Sequence, residues 1–409
     1  MRRGILAAVA VLWALALAPL AHAQAAAPLA EAAAAAAPSA ERARLNERVF
    51  DRVWRTVDQS YYDPQTHGVD WRAMRDLYRP RALAAADERG LYVVLGEMLD
   101  RLDDAHANVL SPTATRYEAN RDKPRPQLGV LLLRTDGRYL LEDVRTGSPA
   151  EEARVELGWE VRSIDGRPFF PGLSLEPGVP VAVEFVDSAG AVRPMQLTPR
   201  LMEPPVRRRA AWKDGVMVLT FDGFDPGVGR WVEAQLTGLP TGTAVVLDLR
   251  NNRGGLLSEA NDVLSCFLPD GLKWAQYRTR RGQEAMLTLK RACKPFRGPL
   301  AVLVNGASRS AAELAPAALR EQGRAVIVGR RTAGDVLIST EWKLPDGGEM
   351  SLSVADIRMA GGARLEGSGV EPDIAATTTL EDRRSGRDPA LDAAVEAVKH
   401  PQKLPAQAS

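Results

Sequence analysis

Residues 299–313 read PLAVLVNGASRSAAE, in which an apolar run typical of a buried β-strand leads through a short polar turn into an amphipathic helical segment. Ser310 stands where the turn meets the helix. A serine in this position holds its hydroxyl clear of the sheet, while the helix N-terminus offers backbone N–H groups and the positive end of its dipole. This arrangement presents a nucleophile, although a lone serine at such a turn is more often an ordinary helix cap.

Buried strands alternate with helices on both sides of this stretch. Continuous apolar runs that alternate with helices are typical of an α/β layer arrangement. The runs are Val216–Phe221, Thr243–Leu249, Pro299–Val304 and Ala325–Val328, followed by amphipathic strands around residues 337–342 and 350–354 and a final helix over residues 388–400. The sequence therefore predicts an α/β core over residues 205–400.

Two further modules are predicted upstream of this core. Apolar residues recur at helical spacing between Val49 and Val57 and again between Leu91 and Leu102, which predicts a small helical domain over residues 41–118. From Gln127 the period becomes strand-like, and Asp136-Gly137 is a hairpin signal, so residues 124–200 are predicted to be β-rich. The predicted fold class is thus α/β multidomain: a helical domain, a β-rich module and an α/β core.

The N-terminus has the three parts of a secretory signal peptide. Arg2 and Arg3 precede an apolar run from Ile5 to Leu20, and Ala21-His22-Ala23 offers a cleavage site. The run is short for a membrane span. We expect residues 1–23 to be removed and the Ala-rich residues 24–40 to act as a linker. The expected product has no membrane span and is periplasmic or secreted, in a bacterium.

Composition excludes several kinds of partner and cofactor. The 53 basic and 52 acidic side chains nearly cancel, so neither nucleic acid nor an anionic membrane surface is an expected partner. Cys266 and Cys293 could form a disulfide in an oxidising compartment or remain two buried thiols. They form neither a CxxC pair nor a Cys/His cluster, so no metal is expected. No organic cofactor is implied either.

The β-rich module carries Gly147-Ser148-Pro149-Ala150 followed by Ser163-Ile164-Asp165-Gly166. In this order the two motifs resemble a PDZ domain of the bacterial type, with Leu128, Gly129 and Val130 in the place of the loop and strand that receive a peptide C-terminus. An exposed strand edge can add an extended peptide as another strand, while backbone N–H groups take its terminal carboxylate. The alternative is a plain β-rich packing module.

The core carries DLRNNRGG at residues 248–255, SAAE at 310–313 and GVEPD at 369–373. Taken in order, the three modules and these motifs resemble the family of carboxyl-terminal processing and tricorn-type serine peptidases. The resemblance implies that Ser310 is the nucleophile. It also implies an oxyanion hole made by the backbone N–H groups of Gly255 and Ala311, two donors that would stabilise the negative oxygen of a tetrahedral intermediate.

The chain departs from the processing branch of that family at its general base. That branch activates its serine with a lysine in a T-x-G-K motif, and this chain has Thr332-Ala333-Gly334-Asp335 instead. Arg330 and Arg331 cannot substitute, because a guanidinium does not lose its proton near neutral pH. A Ser–Lys pair is therefore not expected.

The tricorn-type branch uses a histidine from the helical domain and a glutamate near the GVEPD motif. His106, in LDDAHA, and Glu366, three residues before Gly369, match these two positions. The resemblance implies that His106 takes the Ser310 proton and that Glu366 orients the imidazole. One departure remains: Ala105 stands beside His106 where the tricorn pattern has a serine.

The sequence therefore predicts a serine endopeptidase with a Ser310–His106–Glu366 triad that acts on unfolded or C-terminally docked polypeptides. With an imidazole of ordinary pKa as its base, kcat/KM should rise between about pH 5.5 and 7.5. Two alternatives stay open. One keeps Ser310 with an unidentified base, in which Asp335 could take part. The other is a non-catalytic, PDZ-bearing peptide-binding scaffold.

Overall fold

The computed structural model describes residues 37–120, 122–135, 138–169, 175–204, 206–290 and 293–400. The predicted signal peptide, residues 24–36 of the predicted linker and the Asp136-Gly137 turn lie outside the described residues. Within the described ranges, no helix combines the length and the apolar character needed to cross a membrane.

Helices dominate the first part of the chain. They are α1 (Ala40–Ser60), α2 (Trp71–Leu83) and α3 (Glu88–Leu99), followed by a short strand β1 (Asn108–Leu110) and α4 (Pro112–Ala119). The side chains of Ser39, Asp70 and Asp87 cap the first three helices by accepting backbone N–H groups. Val53 of α1 and Leu95 of α3 are fully buried, as the helical periodicity predicts, so the apolar faces pack on each other.

Antiparallel strands make up the second part. The elements are β2 (Arg125–Gln127), β3 (Val130–Thr135), β4 (Arg138–Val144), α5 (Pro149–Glu152), β5 (Glu160–Ile164), β6 (Arg167–Pro168), β7 (Val181–Val186), β8 (Val192–Leu197) and β9 (Arg200–Met202). The main sheet has the order β3-β4-β5-β7-β8 with β6 beside β5, while β2 and β9 pair separately. Gly129, just before β3, has a φ of 80°, and a Cβ there would lie 2.1 Å from the Cβ of Ser148. Only glycine allows this close approach.

Strands and helices alternate in the third part. The elements are β10 (Arg208–Lys213), β11 (Val216–Phe221), α6 (Val228–Leu236), β12 (Val245–Asp248), α7 (Leu257–Ser265), β13 (Lys273–Thr279), β14 (Glu284–Thr288), β15 (Leu300–Val304), α8 (Ala311–Glu321), β16 (Val326–Gly329), β17 (Ile338–Lys343), β18 (Glu349–Met359), β19 (Ile374–Ala375), α9 (Leu380–Arg384) and α10 (Pro389–Lys399). The predicted strands and the final helix are present within a few residues of their expected bounds.

The central sheet has the order β10-β11-β12-β15-β16-β19. Its strands are parallel from β11 to β19, and β10 is antiparallel to β11. One face packs on α6, α7 and α8, and the other packs on α10. Both faces are covered, which explains why these strands read as continuous apolar runs.

A second sheet joins the helical part to the core. It has the order β1-β18-β13-β14, with β17 also paired to β18. Val109 of β1 lies opposite Met350 of β18, and this pairing anchors the segment that carries His106 against the core.

A disulfide links Cys266 at the end of α7 to Cys293. The sequence leaves two states open for these cysteines, and the structure has the bonded one.

Candidate active site

The turn at Ser310 has a strained backbone. β15 ends at Val304 and α8 begins at Ala311, so Ser310 lies at the strand-to-helix turn that the sequence predicts. Its φ is 53° and its ψ is −119°, a conformation that costs a non-glycine residue about 1–3 kcal/mol. The Ser310 N–H is held by two acceptors, the Asp335 carbonyl oxygen at 2.8 Å and Glu313 Oε2 at 3.0 Å. These contacts hold the turn in this conformation.

Gly254 brings the DLRNNRGG motif against the nucleophile turn. A Cβ on Gly254 would lie 2.6 Å from Ser310 Cβ and 2.7 Å from the carbonyl oxygen of Arg309. The Gly254 N–H donates to Asn252 Oδ1 at 2.9 Å, and the buried Asn252 in turn donates to the Phe221 carbonyl oxygen. The glycine is required here because any side chain would displace the Ser310 turn.

The two backbone donors predicted for the oxyanion hole are Gly255 and Ala311. Gly255 has a φ of 138° and pairs with Phe224 in an isolated bridge, and Ala311 is the first residue of α8. Among the described residues, neither N–H has a hydrogen-bond acceptor. Unused donors are what such a hole requires. The assignment stays a prediction.

Glu313 holds the loops of this region together through hydrogen bonds, a role that the sequence did not reveal. Its side chain is fully buried, and its Oε1 accepts from Thr332 Oγ1 at 2.5 Å and from the Gly334 N–H at 2.7 Å. Its Oε2 accepts from the N–H groups of Ser310 and Asp335. Burial raises the pKa of Glu313 to about 7, and the hydrogen bonds oppose that rise. An acidic residue three positions after a helix cap was the available signal.

Asp335 occupies the position where the processing branch has its lysine. Its carboxylate forms an ion pair with Arg309, with 3.3 Å between Oδ2 and Nε. Its backbone holds both Ser310 and Glu313, as described above. Asp335 therefore helps to hold the Ser310 turn through its backbone, whereas the contacts of its side chain reveal no proton-accepting role.

His106 lies on the turn between the helical part and β1. Its side chain is 17% exposed, and its Nδ1 is 3.9 Å from Asp104 Oδ1. Nδ1 is buried without a hydrogen-bond partner in the described part of the chain. Burial lowers the pKa of His106, the negative charges of Asp104 and Asp335 oppose this, and Arg309 adds to it.

Glu366 is engaged elsewhere. Its Oε2 accepts the N–H groups of Val336 at 2.8 Å and Leu337 at 3.2 Å. Burial raises the pKa of Glu366 to about 7, and the charges of Asp104 and Asp335 act in the same direction. No hydrogen bond among the described residues joins Glu366 to His106 or His106 to Ser310. Asp335 is instead the residue that all three have in common. Its carbonyl oxygen accepts the N–H of Ser310, and its negative charge raises the pKa values of His106 and Glu366.

One cleft connects this region to the β-rich module. Its volume is about 510 Å³. Its lining includes His106, Arg309 and Asp335 and, from the β-rich module, Leu128, Gly129 and Val130. A ligand held at the start of β3 would therefore lie in the same cleft as the predicted base.

Strand β4 also contacts the loops around the nucleophile. Glu142 forms an ion pair with Arg330 at 3.0 Å. Asp143 Oδ2 accepts from Asn251 Nδ2 at 2.8 Å, and the Asn251 N–H donates to Asn305 Oδ1, just before the Ser310 turn. The β-rich module is thus hydrogen-bonded to the loop that carries Asn251 and to the loop that carries Arg330.

Comparison with known proteins finds two family models that match parts of this chain. A sequence model of Peptidase family S41 matches residues 215–376, and one of the Tricorn protease C1 domain matches residues 44–100. The chain is 30% identical over 323 residues to the carboxyl-terminal-processing protease of Picosynechococcus sp., with 74% of this chain and 77% of that protein covered. It therefore belongs to peptidase family S41 and is a serine-type peptidase.

Two further similarities extend over most of the chain. Tricorn protease homolog 1 of Streptomyces coelicolor is 27% identical over 395 residues, which cover 87% of this chain but only 35% of that protein. Among solved structures, the photosystem II D1 C-terminal processing protease has the same fold, with a TM-score of 0.60 at 24% identity over 81% of this chain and 93% of that one. The chain thus spans about a third of the tricorn homologue.

Proposed function

We propose that this protein is an exported serine endopeptidase that hydrolyses unfolded or C-terminally docked polypeptides. The main support is the strained Ser310 turn, held by Glu313 and Asp335 beside the cleft that His106 lines. Export is inferred from the signal-like N-terminus, and a disulfide between Cys266 and Cys293 is consistent with an oxidising compartment.

The proposed reaction passes through an acyl-enzyme. Ser310 Oγ attacks the peptide carbonyl carbon while His106 accepts its proton, and the N–H groups of Gly255 and Ala311 stabilise the resulting oxyanion. His106 then gives the proton to the leaving amine, and the C–N bond breaks. Water, deprotonated by His106, then attacks the ester carbonyl carbon, the C–O bond to Ser310 breaks, and His106 returns the proton to Ser310 Oγ. Glu366 is the predicted third member, and its contacts leave the orientation of His106 to be explained.

A fluorophosphonate probe should label the mature protein at Ser310, because only an activated serine reacts with such a phosphorus centre. Mass spectrometry of the adduct identifies the residue. Ser308→Ala is the matched control: Ser308 is fully buried and its Oγ donates to the Leu249 carbonyl oxygen at 2.8 Å, so its loss should leave labelling in place. Labelling at Ser308, or none at all, would contradict the proposal, and the second outcome would favour the non-catalytic scaffold.

The buried imidazole predicts that kcat/KM rises with pH at an unusually low pH. Because burial lowers the pKa of His106 from its usual 6.5, the neutral, proton-accepting form persists at lower pH. The rise of kcat/KM is therefore expected below pH 6.5, and this replaces the window that an ordinary imidazole predicts. A profile of kcat/KM against pH measures it. A limb centred above pH 6.5 would contradict the assignment of His106 as the base.

We also propose that the β-rich module is PDZ-like and receives a free peptide C-terminus at Leu128, Gly129 and Val130. The shared cleft and the left-handed Gly129 before β3 support this. The mature protein carrying Ser310→Ala should bind a peptide with a free C-terminal carboxylate at least about tenfold more tightly than the same peptide with an amidated C-terminus. The amidated peptide has no carboxylate and therefore loses the charged hydrogen bonds to it. Equal affinities in a fluorescence-anisotropy titration would rule out carboxylate capture.

A further inference from the structure

Asp104 is a buried carboxylate beside the predicted base. It is 2% exposed and follows Asp103, whose φ of 48° turns the chain sharply before β1. Its Oδ1 accepts the backbone N–H of His106 at 2.8 Å. Its Oδ2 is buried and forms no hydrogen bond of good geometry among the described residues, although the Tyr61 hydroxyl lies close to this carboxylate. Buried polar atoms are almost always paired, so this one requires an explanation.

The imidazole of His106 has the complementary deficiency. Its Nδ1 is also buried and unpartnered, and it is 3.9 Å from Asp104 Oδ1. That distance is too long for a hydrogen bond, but catalytic hydrogen bonds are often long in a free enzyme and shorten when substrate binds. An Nδ1–H donor and a carboxylate acceptor on the same turn would satisfy each other after a small rotation of either side chain.

Two other carboxylates, those of Glu366 and Asp335, each have partners of their own. Glu366 Oε2 holds the N–H groups of Val336 and Leu337, and its charge is not among those that act on His106. Asp335 does act on His106, but its carboxylate is paired with Arg309. Asp104 is therefore the carboxylate that is both close to Nδ1 and free of a cationic partner in the described structure.

We propose that Asp104, rather than Glu366, is the positioning residue that accepts the Nδ1–H of His106 and thereby leaves Nε2 unprotonated for Ser310. This inference rests on the proposed function, because it assumes that His106 is the base. Glu366 then has a different role, since it holds the loop at Val336 and Leu337 that follows Asp335. The charged groups that face His106 are Asp104, Asp335 and Arg309.

Tyr61 offers the competing explanation for the Asp104 carboxylate. Its hydroxyl is buried next to Asp104, and burial, the negative charge of Asp104 and hydrogen bonding to that carboxylate all raise the pKa of Tyr61. If Asp104 served only to hold Tyr61, then Tyr61→Phe would have the same effect as removing the Asp104 charge. This variant is therefore the matched control for a merely structural role.

The test compares Asp104→Asn, Glu366→Gln and Tyr61→Phe in the full mature protein. Asparagine can still accept the His106 N–H through Oδ1, so the turn is kept while the charge and the second acceptor are lost. We expect Asp104→Asn to lower kcat by about 10²–10⁴-fold with little change in KM, because an imidazole in the wrong tautomer is a poor base. Glu366→Gln and Tyr61→Phe should each cost about tenfold or less.

A second readout does not depend on turnover. In the Ser310→Ala protein, heteronuclear NMR can follow the ring nitrogens of His106, with His67 and His400 as internal references. We expect the neutral ring to carry its proton on Nδ1, and Asp104→Asn to move the His106 titration to lower pH because a neighbouring negative charge is lost. Glu366→Gln should leave that titration nearly unchanged.

Several outcomes would overturn the inference. They are an Nε2–H tautomer in the otherwise unmodified Ser310→Ala protein, a His106 titration that moves with Glu366→Gln but not with Asp104→Asn, or equal losses of kcat in Asp104→Asn and Tyr61→Phe. The tautomer measurement remains decisive even if Asp104→Asn does not fold. If the protein has no peptidase activity at all, the proposed function fails, while the NMR readout still reports whether Asp104 holds His106.

Discussion

Replacing His106 with alanine should lower kcat by about 10⁴–10⁶-fold while the fold stays intact. Without a base, the Ser310 hydroxyl is almost fully protonated at neutral pH and is a poor nucleophile. Removing the ring breaks no hydrogen bond of Nδ1 in the described structure, so the local turn should be kept. Steady-state hydrolysis of a fluorogenic peptide measures the loss, and circular dichroism checks the fold.

His400→Ala is the matched control for His106→Ala. His400 is 79% exposed at the end of α10 and interacts only weakly with Glu396, so its removal should leave kcat unchanged. Asp335→Ala should cost comparatively little, because the Asp335 contacts that hold Ser310 and Glu313 are made by its backbone. Full activity in His106→Ala together with loss of turnover in Asp335→Ala would show that the base lies elsewhere.

Gly254→Ala is the second change with a large expected effect. The new methyl group would meet Ser310 Cβ at 2.6 Å and the Arg309 carbonyl oxygen at 2.7 Å, so the nucleophile turn has to move. A displacement of about 1 Å at a reacting group typically costs about 10²-fold in rate. We therefore expect kcat to fall at least about 10²-fold and fluorophosphonate labelling of Ser310 to slow in parallel.

Gly238→Ala separates this contact from backbone strain. Gly238 has a φ of 85°, close to the 83° of Gly254, but a Cβ there would meet nothing within 4 Å. Both variants should lose about 1–2 kcal/mol of stability from the left-handed backbone. Only Gly254→Ala should also lose activity at temperatures where both proteins are folded. Equal activity of the two variants would show that Gly254 does not position Ser310.

Features encoded in short segments could be predicted from the sequence. The strand, turn and helix around Ser310 follow from an apolar run, a polar turn and an amphipathic repeat that are contiguous in the chain. The alternation of buried strands and helices predicted an α/β core, and the structure has one. The family was also recognisable, because its motifs recur in order along the chain.

Contacts between distant segments could not be predicted in the same way. Glu313 was visible only as part of a motif, whereas three of its four hydrogen bonds depend on the loop from Thr332 to Asp335 packing over α8, and the fourth comes from the Ser310 N–H. The motif match pointed to Gly255, and only the packed structure shows that Gly254 is the glycine against Ser310. Which glycine faces the serine depends on backbone direction, which residue types alone do not specify.

The sequence by itself determined the nucleophile candidate, the absence of a lysine at position 335 and His106 as the candidate base, because these depend on residue identity and local pattern. Only the tertiary structure decided which carboxylates surround His106. The pairing of β1 with β18 brings residues 104 and 106 close to the loop that carries Asp335, which is more than two hundred positions away in the chain. Burial lowers the pKa of His106 there, and Asp104 has no cationic partner in the described structure. Both properties depend on the surrounding atoms and not on the motif.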